Sequence, residues 1–167
     1  GLIAFWRLNE ADFGRLGRAP ARFDIDGLRQ LNARILHMMP FENVETRLGK
    51  LGVSERLWEA VKGNIEIFSD VETWRVITEE PIDPLITDED RQVATAAADA
   101  VPDKELEEAD WSALIEQVKA ETGAKGRKLF MPLRKALTGL DHGPEMGPLY
   151  ALIGAEKAKA RFSGQRA

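Results

Sequence analysis

A basic segment near the carboxyl end holds the side chains with the clearest potential for chemistry. Five cations lie within eleven positions: Lys125, Arg127, Lys128, Arg134 and Lys135. Gly123 and Gly126 flank the first of them, which predicts a flexible turn at a helix start. There, free backbone N–H groups and the helix dipole add to the side-chain charge. The segment either binds the phosphate groups of a partner or forms an ordinary capped turn with a solvated basic face.

Charge changes sign along the chain. The 167 residues carry a net charge of −5. Residues 1–40 contribute +2, residues 41–110 contribute −12 and residues 111–167 contribute +5. A polyanion would be attracted by both ends of the sequence and repelled by its middle. Solvated helix faces of differing sign would give the same pattern.

Other kinds of site find little support in the sequence. His37 and His142 lack the spacing of metal ligands, so no metal site is predicted. Cysteine is absent, which excludes disulfides and cysteine nucleophiles and fits a reducing compartment. No glycine-rich phosphate-binding motif follows a strand. A hydrolase would need a nucleophile and a base that meet only in space, and no residue indicates one.

Composition indicates a folded protein outside the membrane. Apolar residues make up 44% of the chain and charged residues 31%, which supports a core and argues against disorder. No segment approaches roughly 18 consecutive apolar residues, so no membrane span is predicted. The sequence starts at Gly1 without a basic signal-peptide region, from which we expect a fragment or a processed end.

Helical periodicity runs through almost the whole chain. It predicts an all-α fold, a two-lobed bundle or cage of about nine short to medium helices. Asp24 is predicted to cap the first helix, and Pro40 to end it. The apolar stripe of that helix is expected to comprise Ile25, Leu28, Leu31, Ile35, Leu36 and Met39. A connector over 79–86, which holds two prolines, separates the predicted lobes.

Local signals position several of the remaining helices. Ser54 is predicted to cap a short helix, and Ser69 with Glu72 matches a capping box. Asp110 is predicted to cap a further helix. Buried positions are expected at Trp58, Trp74, Trp111, Leu129, Phe130, Leu133 and Leu137.

The carboxyl-terminal region is predicted to contain three helices. The basic turn opens the first, in which Pro132 either introduces a kink or lies in the first turn. Pro144 opens the second, and a last basic helix spans 155–162. The tail over 163–167 is expected to fray.

The residues from 125 to 145 resemble a known family signature. The run KGRKLFMPLRKALTG over 125–139, followed by HGPE over 142–145, is similar to the C-terminal signature of bacterial glutamyl-tRNA synthetases. Ala21–Asp24, together with Leu28, Leu31 and Asn32, resembles the helix that follows the catalytic signature loop of that family. Ser69–Ile77 resembles the start of its anticodon-binding region. Its closing helix is matched by Gly154, Lys157 and Arg161.

The resemblance implies a helical module that holds the anticodon arm of a tRNA. It divides the chain into a remnant of the stem-contact region with the first helix over 1–40, a first anticodon-binding lobe over 41–82 and a second over 83–167. It implies a glutamate-accepting tRNA and the parent's own catalytic domain as partners, in a monomeric cytoplasmic ligase. The family's Rossmann-type catalytic half uses ATP and Mg²⁺. Its HIGH-like and KMSKS-like motifs do not occur in this sequence, so no cofactor is expected here.

Cations are the residue type that such a module requires, because they neutralise phosphates and, as arginine, form planar hydrogen-bonding forks. The expected tRNA-binding residues are Lys125, Arg127, Arg134 and Lys135, with Arg22, Arg56 and Arg75 as further candidates. The competing interpretation is a helical module that docks a protein partner through its acidic middle and through Phe5 and Trp6 at the start.

Overall fold

The computed structural model describes residues 24–167, and this range is helical without any β-strand. Its α-helices are α1 (Ile25–His37), α2 (Glu45–Lys50), α3 (Glu55–Val61), α4 (Asp70–Glu79), α5 (Arg91–Ala100), α6 (Glu108–Thr122), α7 (Arg127–Thr138), α8 (Met146–Ile153) and α9 (Ala155–Phe162). Short 3₁₀ turns lie at Phe41–Asn43 and Lys62–Asn64. None of these helices is long and apolar enough to cross a bilayer. The all-α prediction is confirmed.

Two of the predicted N-caps are confirmed. The Asp24 carboxylate accepts a hydrogen bond from the backbone N–H of Gly27 at 2.9 Å. The Ser54 hydroxyl accepts one from the backbone N–H of Leu57 at 3.2 Å. Each bond satisfies one of the N–H groups that the first turn of a helix leaves unpaired.

The predicted capping box at the start of α4 is wrong. Ser69 makes no capping bond, because its backbone already has helical torsion angles, with φ −64° and ψ −18°. The Asp70 carboxylate instead accepts hydrogen bonds from the N–H groups of Glu66 and Ile67, at 3.0 and 3.1 Å. The turn before α4 is therefore closed by a side chain from inside the helix.

Helix α6 begins earlier than predicted, so the assignment of Asp110 as its N-cap is wrong. Glu107 is the N-cap, and Asp110 accepts a hydrogen bond from the backbone N–H of Glu107 at 2.8 Å within a capping box. Asp110 also pairs with Lys104 at 2.9 Å. These contacts, that of Lys104 above all, lower the pKa of the Asp110 carboxyl.

One hydrophobic cluster of buried residues extends from Leu36 to Phe162. Trp58 and Trp74 are buried in it, as predicted. Trp111 is half-buried and packs on Tyr150, with ring centroids 5.3 Å apart. Helix α8 contacts α3, α4 and α6. The helices before and after the 79–86 connector therefore share one core.

The amino-terminal half of α1 departs from its predicted buried stripe. Leu36 and Met39 are buried, but Ile25, Leu28 and Leu31 are 60%, 40% and 47% exposed. Helical periodicity creates an apolar face, but burial also requires another element packed on that face. The prediction of burial is wrong for these three residues, because α1 enters the core only at its carboxyl end.

The three carboxyl-terminal helices are present. Helix α8 begins shortly after Pro144, and α9 spans the predicted 155–162. Pro132 is the sixth residue of α7, so a position in the first turn is wrong. The helix continues beyond it to Thr138 because the leucines of α7 remain packed in the core.

The tail is held in place, and the prediction that it frays is wrong. Backbone hydrogen bonds join Ala167 and Ile82 in both directions, at 3.0 and 3.3 Å. The Arg166 guanidinium pairs with Asp83 at 2.9 Å. The partner of the tail is the 79–86 connector, which lies far from it in sequence.

Arg161 is a fully buried cation that ties several helix ends together. Its guanidinium donates hydrogen bonds to the carbonyl oxygens of Ile77, Leu137, Glu80 and Ala167, at 2.8, 2.7, 3.1 and 2.7 Å. Ile77 and Leu137 lie in the last turns of α4 and α7, where carbonyls lack helical partners and carry partial negative charge. Burial lowers the pKa of Arg161 to about 10. Arg161 thus fixes the end of α7 against α4.

Candidate nucleic-acid interface

The predicted basic turn forms the start of α7. Gly126 is the N-cap residue, and the first turn contains no acidic side chain. Lys125, Arg127 and Lys128 are exposed. Within residues 24–167, no hydrogen bond or ion pair engages their side chains. The three cations and the positive end of the helix dipole are therefore open to an anionic partner.

One face of α7 combines cations with an aromatic ring. Arg127, Phe130 and Arg134 follow one another at spacings of three and four residues, which places them on the same side of the helix. Phe130 is 49% exposed, whereas Leu129 and Leu133 are buried. The prediction of a buried Phe130 is wrong, because the core face of α7 is centred on the leucines and Phe130 lies at its edge.

Arg134 is half-buried beneath the loop that connects α7 to α8. Its Nη2 donates a hydrogen bond to the carbonyl oxygen of Pro144 at 3.0 Å. Its Nη1 is buried and has no hydrogen-bond partner. Burial lowers the pKa of this guanidinium. Arg134 therefore has one nitrogen held by the protein and a second one that is enclosed without a hydrogen-bond partner.

Gly143 allows the loop to approach this arginine closely. Its φ is +149°, and a Cβ added there would overlap the Trp74 ring and lie 3.0 Å from Nη1 of Arg134. Any larger residue would have to displace the ring or the guanidinium. The glycine therefore helps to set the position of Arg134.

Arg134 and Phe130 line a cleft of about 410 Å³. Its walls also include Trp111, Glu108 and Glu145. The cleft thus offers aromatic surface, a hydrogen-bond donor and carboxylate acceptors. These are the groups that bind an unstacked nucleobase, which needs a surface to stack on and partners for its edge.

A smaller cleft of about 260 Å³ lies beside the first, and Glu108 lines both. Arg56, on α3, lines this second cleft. Its side chain is exposed, and no ion pair or hydrogen bond engages it within the part of the chain that the structure describes. The structure therefore brings Arg56 near the α7 site, although the two are far apart in sequence.

Arg75 is already engaged by the protein's own carboxylates. Its guanidinium lies 2.7 Å from Glu72, 2.8 Å from Glu80 and 3.7 Å from Glu79. The hydrogen bonds to Glu72 and Glu80 raise the pKa of Arg75 and hold it in its charged form. Of the predicted tRNA-binding residues within 24–167, Arg75 is the one that forms ion pairs with carboxylates of the protein itself.

The remaining predicted residues fall on the edge of the site or outside the described range. Lys135 is half-buried on α7, about 100° around the helix from Arg134. Arg22 lies outside residues 24–167, as do Phe5 and Trp6 of the competing interpretation. No group of three or more His, Asp or Glu residues in the described range could hold a metal ion.

Sequence reasoning missed Glu108, Glu145 and the role of Phe130 as a cleft residue. Glu108 is exposed, and it lines the same cleft as Arg134. The spacing of Phe130 from Arg127 and Arg134 was the one available signal. No sequence signal links Glu108 to these residues, because Glu108 lies on α6 and they lie on α7.

Comparison with known proteins places the chain in a single domain family. A family model described as an anticodon binding domain matches residues 35–165. Glutamate–tRNA ligase 1 of Parvibaculum lavamentivorans is 47% identical over 155 residues, which covers 92% of this chain and 34% of that protein. Glutamate–tRNA ligase 2 of Hyphomonas neptunium is 47% identical over 157 residues, covering 92% and 35%. The chain spans about a third of the length of these curated relatives.

A solved structure has a similar fold. The crystal structure of the glutamate–tRNA synthetase from Elizabethkingia anophelis matches with a TM-score of 0.66. The match covers 87% of this chain and 32% of that one, at 18% sequence identity. At that identity the likeness supports the fold alone.

Proposed function

This chain belongs to the anticodon-binding domain family of glutamate–tRNA ligases, and we propose that it binds the anticodon arm of a tRNA through α7 and the adjoining cleft. The observation that carries the proposal is the α7 face itself, where an exposed aromatic ring lies between two arginines. Arg134 adds a buried nitrogen without a partner. Such a face suits single-stranded RNA, whose bases can stack while its phosphates meet cations.

The start of α7 supplies the phosphate contacts in this proposal. Lys125, Arg127 and Lys128 are exposed and lie at the positive end of the helix dipole. Each phosphate that they neutralise releases counterions, so binding becomes weaker as salt rises. Three contacts to a single-stranded loop would give a slope of about −2 in a plot of log affinity against log salt concentration.

The cleft supplies the base contact. Phe130 and Trp111 offer ring surface, and the Arg134 guanidinium, which also lines the cleft, supplies the cation that contacts the edge of a base. A stacked base contributes about 1–3 kcal/mol to binding of single-stranded nucleic acid. In this proposal Arg56, which lines the second cleft, contacts an adjacent nucleotide, and Lys135 contacts the backbone at the edge of the site.

Statements about the longer protein are part of the proposal. The relatives are named glutamate–tRNA ligases, which favours a glutamate-accepting tRNA. Aminoacylation with ATP and Mg²⁺ would then take place on a catalytic domain in a monomeric, cytoplasmic parent. The division into 1–40, 41–82 and 83–167 is proposed on the same basis.

The test is a binding titration of the chain with a glutamate tRNA over a series of salt concentrations. We expect affinity that falls with salt, and a loss of about tenfold for Phe130→Ala or Arg134→Ala. Arg127→Ala should reduce the salt slope by about 0.7. Arg91→Ala is the matched control, because Arg91 is exposed on α5 and pairs with Asp88. Absence of binding at low salt, or an equal loss for the control, would contradict the proposal.

A further inference from the structure

Two opposite charges line the larger cleft without pairing. Arg134 contributes its guanidinium, and Glu108 contributes a carboxylate from the first residue of α6. Within residues 24–167, no ion pair of 4.0 Å or less joins them, and no hydrogen bond engages the Glu108 side chain. The cleft therefore presents a cation and a carboxylate that are not paired with each other to whatever enters it.

Glu108 is placed in this position by a close contact between α6 and α8. A Cβ added at Gly147 would lie 2.9 Å from Cγ of Glu108 and 3.3 Å from its carbonyl oxygen. The Glu108 stem thus crosses α8 where a side chain is missing, and its carboxylate lines both clefts. Glu145, the N-cap residue of α8, adds a second negative charge to the larger cleft.

We infer that Glu108 is a specificity-determining residue, which admits a nucleobase to the cleft and excludes phosphate. The inference rests on the proposed function. The pairing edge of every nucleobase carries an N–H donor next to an acceptor. The acceptor of a base meets Arg134, and its N–H meets Glu108.

A phosphate group cannot make the same pair of contacts. It offers only acceptor atoms and carries a negative charge, so it could use Arg134 but would face Glu108 and Glu145 as like charges. Phosphates are therefore directed to the start of α7, where the first turn has no acidic side chain. The mixed charge of the cleft distinguishes unpaired RNA from polyanions in general.

The experiment compares three probes at one salt concentration. They are an anticodon-arm hairpin of a glutamate tRNA, a blunt RNA duplex of equal charge, and inorganic polyphosphate. The variants are Glu108→Gln, which removes the charge, and Gly147→Ala, which displaces the Glu108 side chain and keeps the charge. Glu156→Gln is the control, because Glu156 is exposed on α9 and lines neither cleft. A thermal melt of each variant verifies folding.

We expect Glu108→Gln to lower the ratio of hairpin to duplex affinity about fivefold, through tighter binding of duplex and polyphosphate and weaker binding of hairpin. Gly147→Ala should lower the same ratio, and Glu156→Gln should leave it unchanged. If Glu108→Gln leaves the ratio unchanged while Arg134→Ala still weakens hairpin binding, the inference is wrong and the proposed function stands. If Phe130→Ala and Arg134→Ala both leave hairpin binding intact, the proposed function itself is wrong.

Discussion

Replacement of Arg161 by methionine tests whether the buried guanidinium holds α7 in place. Methionine keeps an apolar stem of similar length and removes every hydrogen-bond donor. In the structure those donors reach the carbonyl oxygens of Ile77 and Leu137, both buried, at 2.8 and 2.7 Å. They also reach Glu80 and Ala167 in partly buried positions.

The expected loss of stability follows from these contacts. Each buried carbonyl left without a partner costs about 1–3 kcal/mol, and water can replace the donors at the two partly buried ones. The variant also avoids the desolvation penalty of a buried charge, which offsets part of this loss of stability. We expect the free energy of unfolding to fall by about 3 kcal/mol, a large part of the roughly 5–15 kcal/mol typical of a domain. For a chain of this size the melting temperature should fall by about 6–12 °C.

The assay is urea unfolding followed by circular dichroism, with Arg161→Lys and Arg91→Met measured alongside. Lysine keeps the charge but lacks the planar hydrogen-bonding fork. The free energy of unfolding of Arg161→Lys should therefore lie between those of Arg161→Met and the original chain. Arg91 is largely exposed, and its replacement should change stability by less than about 0.5 kcal/mol. If Arg161→Met is as stable as the original chain, the buried guanidinium does not organise the ends of α4 and α7.

Three further outcomes are expected. Trp58→Phe removes a buried indole N–H that donates to a carbonyl at 3.1 Å, and should lower the free energy of unfolding by about 2 kcal/mol in the same assay. Asp110→Asn should destabilise the chain at pH 7, because Lys104 and the N–H of Glu107 lower the pKa of this carboxyl. That stabilisation is complete above the unfolded pKa of 3.8 and is lost as pH falls through the lower folded pKa, so the two melting curves should converge in acid. Gly143→Ala should cost about 1–3 kcal/mol and weaken RNA binding, since its Cβ overlaps Trp74; unchanged values would show that the loop shifts freely.

Short-range patterns were sufficient to predict much of the fold. The caps at Asp24 and Ser54 depend on a side chain and an N–H three residues away, so sequence spacing predicts them directly. The basic start of α7 is equally local, since glycine and neighbouring cations are all that it requires. The family resemblance was carried by the same segment, and the matched family model confirms it.

The edges of helical faces were harder to predict. Phe130 and Leu129 are neighbours in an apolar run, yet one is 49% exposed and the other is buried. Residues at the boundary of a face are covered only if the adjacent element extends that far. The same reason accounts for Leu28 and Leu31, which continue the stripe of α1 beyond the point where it enters the core.

The amino-acid sequence by itself determined the helices, the segregation of charge and the family, because these depend on residues within a few positions of one another. Only the tertiary structure decided which cations are free to bind. It engages Arg75 with three carboxylates, buries Arg161 among carbonyls that include one 84 residues away, and brings Arg134 and Glu108 to the lining of one cleft. The charge of an arginine follows from its chemistry, but its availability depends on which groups the packed helices bring within hydrogen-bond distance.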